Sequence, residues 1–241
     1  MYSLEIFKYL IIIKRLKMKK ILITTLAAVF ASVNAFAASL SDLSFGVSGT
    51  ALYYDASGTE TTKSSGEAND KSDDGIAPMV SLFAETETAA GITVGLELMP
   101  YSAKVGSGSM NDDDDAETSG TNSVDVNFKN HITLYAEYPN DFTDGGFFKA
   151  GIHRVTVETD DTLSTGSKYG DEDLTGIVLG LGKRGDTANG GFYKIAAEVS
   201  YYGGETFNAA TGGNATGDSA VFNKVELDDL MTAGIKFSVG F

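Results

Sequence analysis

"MTAGIKFSVGF", residues 231–241, alternates without a break. Met231, Ala233, Ile235, Phe237, Val239 and Phe241 are apolar, and Thr232, Gly234, Lys236, Ser238 and Gly240 between them are small or polar. Period-two alternation marks a strand, because successive side chains point to opposite faces. Strands of soluble domains usually run about 5–6 residues. A tilted strand that crosses a bilayer needs about 9–11. One strand does not separate the edge of a soluble sandwich from a membrane crossing, so the rest of the chain decides.

The same pattern recurs upstream. Apolar residues share one phase over 43–53, 76–84, 92–100, 124–138, 147–159, 177–181 and 193–201, which with 231–241 makes eight segments. The connectors then sort by length. Long polar stretches (57–74, 107–123, 160–173, 203–222) follow every odd segment, and short ones (87–90, 139–146, 184–190) follow the even ones. An up-and-down barrel with long loops at one rim and tight turns at the other has this form. The expected fold is all-β, an eight-stranded antiparallel up-and-down transmembrane β-barrel.

The other end of the chain supports export. Met18-Lys19-Lys20 is basic, residues 21–33 are nearly all apolar, and Ala35-Phe36-Ala37 fits a small-x-small cleavage site. Residues 1–37 read as a signal peptide, with 1–17 an upstream mis-start ahead of Met18, and 38–241 as the barrel. Residues 1–37 hold six of the 18 Lys/Arg and one of the 33 Asp/Glu, which leaves the remainder at a formal charge of −20. That rules against nucleic acid or an anionic membrane surface as an electrostatic partner. With no cysteine, disulfides and thiolate chemistry are excluded too.

Polar residues opposite the apolar phase would line the lumen of a membrane barrel. The interior network expected from them is Glu97, Lys129, His131, Glu137, Lys149, Lys194, Glu198 and Lys236. Buried charges need partners. Lys236 is the natural one for Glu198, and Glu137 or Glu97 for Lys194. Glycines on the inner phase, among them Gly46, Gly95, Gly182 and Gly240, would leave room for a narrow pore. Tyr53, Tyr54, Tyr101, Tyr201 and Tyr202 fall at the long-loop ends, and Phe45, Tyr138, Phe147, Phe148, Phe192, Tyr193, Phe237 and Phe241 at the short-turn ends, as two aromatic girdles.

Some features fit less well. Asn130 breaks the apolar phase of its segment. Val155 and Val157 run out of phase with Ile152, so either a bulge lies near His153 and Arg154 or Arg154 sits at the outer rim. The acidic run at 111–120 lacks EF-hand spacing. It reads as a solvated loop, with Asp112, Asp113, Asp114 and Asp115 as weak divalent-ion candidates. "RGD" at 184–186 falls in an expected short turn. No nucleophile and base are singled out around His131 or His153, and no cofactor motif is present.

Together, export, eight alternating segments and a terminal Phe resemble the small Gram-negative outer-membrane β-barrels of the OmpA/OmpX-like type. "KFSVGF" is similar to the C-terminal signature read by their assembly machinery. The resemblance assigns Phe237, Val239 and Phe241 to that signal and implies a monomer surrounded by outer-membrane lipid. No peptidoglycan-binding domain follows in this chain, so the full OmpA pattern is not met. The function implied is structural or surface-interacting (envelope integrity, adhesion), with an extracellular ligand or divalent ions at the acidic loops. The alternatives are a narrow porin-like channel and a lipid-modifying enzyme, although no signature of such an enzyme is present.

Overall fold

The computed structural model describes residues 43–62, 68–112, 120–162, 167–211 and 221–241. The expected signal peptide and mis-start lie outside the described residues. Eleven strands are present among them: β1 (Leu43–Thr62), β2 (Ala68–Glu87), β3 (Thr93–Leu98), β4 (Ala103–Asp112), β5 (Gly120–Pro139), β6 (Gly146–Thr162), β7 (Ser167–Lys168), β8 (Glu172–Asp186), β9 (Phe192–Tyr202), β10 (Glu205–Thr211) and β11 (Val221–Gly240). They make eight staves. The wall runs β1-β2-β3-β5-β6-β8-β9-β11, and β11 pairs back onto β1. β4 resumes the line of β3 after a break and pairs with β5, while β10 prolongs β9 and pairs with β11 and β7.

Which way the alternation faces is settled by exposure. Phe45, Val47, Leu82, Leu96, Leu181, Ile195, Ile235 and Phe237 all point outward, each 44–55% exposed. Lys194 and Glu137 on the opposite phase are buried. Leaving one such apolar side chain in water forfeits about 1.5–3 kcal/mol. A whole belt of them is stable only against an apolar solvent. This is the transmembrane version of the barrel. On β1 the belt runs from Phe45 to Tyr53, nine residues, or about 27 Å along the strand. The girdles are only partly as expected. Phe45, Phe148, Tyr193, Phe237, Tyr53 and Tyr101 are outward and exposed, whereas Tyr54, Phe147, Phe192 and Tyr202 are buried inside.

At one end the turns are tight. Gly91, Gly145 and Gly190 hold φ of 75°, 71° and 81°, left-handed backbone that favours glycine. Two turns share a spelling, Thr88-Ala89-Ala90-Gly91 and Thr187-Ala188-Asn189-Gly190. In each the glycine N–H donates to the threonine carbonyl, at 2.9 and 3.2 Å.

At the other end the strands outrun the sequence reading. β1 and β2 stay paired from Leu43↔Thr86 to Thr61↔Ala68, so most of the stretch 57–74 is strand. β4 and β5 likewise pair up to Asp112↔Gly120. These segments are polar on both faces and carry no alternation to read. Their pairing is dictated by the neighbouring stave.

β5 carries the main irregularity. Its register with β6 passes from Lys129↔Thr156 to Ile132↔Arg154, which inserts one extra residue in β5. Asn130 takes φ 53° there. The bulge therefore lies on β5, where Asn130 and His131 stand opposite Val155, and not on β6 near His153. β6 keeps a single phase, with Val155 and Val157 buried inward and Arg154 outward. Because of the bulge, Phe128 faces inward and Lys129 outward.

Beside β3 the wall is incomplete. β3 pairs with β2 only between Leu82↔Leu98 and Glu87↔Thr93. Above that level β4 bonds to β5 but not to β2. The Tyr101 hydroxyl fills part of the gap, accepting from Val80 N–H at 2.6 Å. Pro78, two residues along the same edge, has no N–H to offer.

Candidate functional site: the barrel interior

The lumen has two layers. Toward the short turns every stave contributes a polar side chain. Lys194 Nζ donates to Glu85 at 2.5 Å and to Glu137 at 2.9 Å. Arg184 reaches the other Glu85 oxygen at 3.1 Å, and Tyr135 Oη donates to Glu85 at 2.6 Å. Lys149 meets Glu198 at 2.7 Å and Glu97 at 3.6 Å. Lys236 bridges Glu97 and Glu198 at 2.8 and 2.9 Å. Ser81 donates to Glu97, and Ser48 bonds Ser238 at 2.8 Å. Four carboxylates (Glu85, Glu97, Glu137, Glu198) face four cations (Lys149, Arg184, Lys194, Lys236), so the plug is neutral.

Aromatic rings close the space that glycine was expected to leave. A Cβ at Gly95 would meet the Tyr135 ring, at Gly46 the Phe83 ring, at Gly182 the Phe147 ring and at Gly240 the Phe192 ring. These four inner glycines are thus seats for aromatics from the adjoining stave. Arg184 also lies over Phe192, 3.7 Å from the ring centre. A pocket among these charges, lined by Glu97, Glu137, Lys149, Lys194, Glu198 and Lys236, holds about 10 Å³, the room of about one water molecule.

Toward the hairpin end the lining turns apolar. Leu52, Met99, Val105, Phe128, Val155 and Leu174 are all buried in one cluster. Between the layers lies a ring stack. His153 lies flat on Tyr202, with centroids 4.2 Å apart and planes 4° apart, and His131 sits 5.4 Å from His153. Tyr202 Oη and His131 Nε2 are 3.3 Å apart. His153 Nε2 is buried without a hydrogen-bond partner. Among the described residues no serine or carboxylate bonds to either imidazole, so they form no nucleophile–base contact of hydrolytic catalysis.

Of the residues expected in the interior network, Glu97, Glu137, Lys149, Lys194, Glu198 and Lys236 come together in the plug. His131 lies one layer away, in the ring stack. Lys129 is a correction: the β5 bulge turns it to the outer face, where it pairs with Glu158 at 2.8 Å. Two members were missed. Glu85 sits where the apolar phase of its segment has already ended. Arg184 was placed in a turn, yet β8 continues through Asp186. A one-step extension of each alternation would have found both.

The assembly-signal residues Phe237, Val239 and Phe241 lie on the outward face, 52%, 47% and 82% exposed. Of the acidic run, Asp112 ends β4, and Asp113, Asp114 and Asp115 lie outside the described residues. Among the described residues no three His, Cys, Asp or Glu side chains gather to hold a metal ion.

No family model and no curated protein sequence matches the chain. Solved structures do. The outer membrane protein OprG from Pseudomonas aeruginosa aligns at a TM-score of 0.50 and 14% identity, over 82% of this chain and 95% of that one. The fold is that of an outer-membrane barrel. Ail of Yersinia pestis, in complex with the heparin analogue sucrose octasulfate, aligns at 0.35 and 12%, over 81% of this chain and 99% of that one. The protease OmpT of Escherichia coli aligns at 0.43 and 10%, over 86% and 100%. These two superpose too loosely to add to the inference, and at such identities the likeness extends to fold and not to activity.

Proposed function

We propose that this protein is a non-conducting outer-membrane barrel with a structural or surface-interaction role, in envelope integrity or adhesion. It is exported by its signal peptide, assembled through Phe237, Val239 and Phe241, and set with its long hairpins outside the cell. The neutral plug carries this reading. A pore needs a continuous water path, whereas four carboxylates and four cations pair across the lumen, around a pocket of about 10 Å³. The apolar layer above adds support. It holds the strands together beyond the belt, building a rigid outer half that a mere membrane filler would not need. Planar-bilayer recording on refolded protein is the test. We expect no conductance steps, and steady ohmic current from the wild type would overturn the reading.

The wall gap between β2 and β4 favours a second reading, sideways passage of a small apolar molecule between the apolar layer and the membrane. Transfer of an apolar dye into proteoliposomes, slowed by closing the gap, would support it.

A further inference from the structure

One row beyond the lipid-facing belt, on the hairpin side, three cations point outward from three successive strands: Lys104 on β4, Lys129 on β5 and Arg154 on β6. Their side chains are 52%, 41% and 64% exposed. Lys104 lies opposite Asn127, two residues from Lys129. Lys129 lies opposite Thr156, two residues from Arg154. Such diagonal neighbours are about 7–8 Å apart. Immediately below, Ile132 is paired across from Arg154 and is 47% exposed on the belt. Of the other cations whose side chains are described, Lys149, Arg184, Lys194 and Lys236 fill the plug, and Lys168 and Lys183 stand at the two ends. The same row on β1 and β2 is acidic, with Asp55 facing Asp74. A chain with a strong negative excess thus sets three outward cations side by side on neighbouring strands, at one height.

We propose that Lys104, Lys129 and Arg154 form a site for the phosphate groups of an outer-leaflet lipid whose acyl chains lie along Ile132 and Leu134. The inference rests on the membrane orientation proposed above. Each cation has a carboxylate beside it: Asp125 at 2.8 Å, Glu158 at 2.8 Å, and Asp173. Exposed pairs of this kind are worth at most about 1 kcal/mol. Their long stems swing freely, so a phosphate displaces a carboxylate at little cost. The arginine fork then offers two parallel hydrogen bonds to phosphate oxygens. Height selects lipid over free phosphate, because a headgroup anchored by its own chains is held at this row. The carboxylates keep the binding salt-sensitive.

The test uses the refolded protein in neutral detergent micelles, so it does not depend on orientation in a membrane or on conductance. The probes are a bisphosphorylated glucosamine-disaccharide lipid, its dephosphorylated form, and inorganic phosphate as competitor. Retained lipid is counted by native mass spectrometry. We expect the wild type to favour the phosphorylated lipid by about tenfold or more, since each surface cation adds about 1 kcal/mol near an anionic headgroup. The combined Lys104→Gln, Lys129→Gln and Arg154→Gln variant should lose that preference, while Lys183→Gln keeps it. Lys104→Gln alone, at an exposed site, should give a partial loss even if the triple variant folds poorly. Equal retention of both lipids by the wild type overturns the proposal. So does an unchanged Lys104→Gln and triple variant, or displacement of the lipid by millimolar inorganic phosphate.

Discussion

Toward the short turns this barrel is inside out; toward the hairpins it is built like a soluble protein. In the first region Lys194 and Glu85 are buried while Ile195 and Val47 are exposed. In the second, Leu174 and Phe128 are buried while Arg154 and Lys104 face out. The two regions share the same staves and the same period of two. What differs is the solvent outside, and the chain changes over in two ways. On β1 the phase never shifts, and the residue types simply trade places: inward Ser48 and Thr50 give way to Leu52 and Tyr54, outward Tyr53 to Asp55. On β5 the residue types stay in one phase and the backbone shifts instead, through the bulge at Asn130. Composition and geometry are interchangeable means to the same inversion.

The comparison is tested hardest in the plug. Lys194→Met leaves Glu85 and Glu137 buried beside an apolar side chain. We expect a loss of about 3–5 kcal/mol in urea unfolding of the detergent-refolded protein. A loss below about 1 kcal/mol would mean that water reaches the plug and that the two layers are not distinct.

Leu174→Ala addresses the other region. Its side chain is fully buried in the apolar cluster, and its truncation should cost about 2–4 kcal/mol of local stability. Hydrogen exchange should rise in β8 near Leu174 and in the facing end of β6, with the belt segments still protected. Equal loss of protection in both regions would show a single cooperative unit.

A smaller effect comes from pH. Hydrogen bonding from Lys129 holds the Glu158 carboxyl below its usual range, and bonds from Arg154 and Thr156 do the same for Asp173. Depressed carboxyls stabilise above the unfolded pKa, and that contribution is lost as pH falls through the folded value. Acidification below about pH 4 should therefore loosen the hairpin end slightly, as read by exchange rates there. Tightening on acidification would contradict the pairing.

Much of this was legible in the sequence, because a belt facing lipid must be apolar at every second residue. The eight staves, the short turns and six members of the plug follow from that constraint. The hairpin end was harder to read. Outside the membrane both faces of a strand can be polar, so residues 57–74 look like loop although β1 and β2 pair through most of them. Lys129 was misplaced because a one-residue bulge reverses faces without changing the apolar pattern. Glycine was misjudged at Gly95 and Gly182 because the filling rings come from residues distant in sequence, Tyr135 and Phe147.

The closing seam has a kinetic consequence. β1 zips to β11 from Gly46↔Gly240 to Thr62↔Asn223, and Phe45 N–H donates to the Phe241 carbonyl at 3.1 Å. These contacts join the two ends of the described chain, the largest loop closure it can make. Chains dominated by such distant pairings fold slowly, because the entropy of closure is spent before any contact repays it. Until β11 arrives, β1 is an open edge with the apolar phase of a sticky strand. The order of events is therefore constrained: seven staves wait on the eighth, and a chaperone that shields β1 during that interval would act on rate and yield while leaving the finished barrel unchanged.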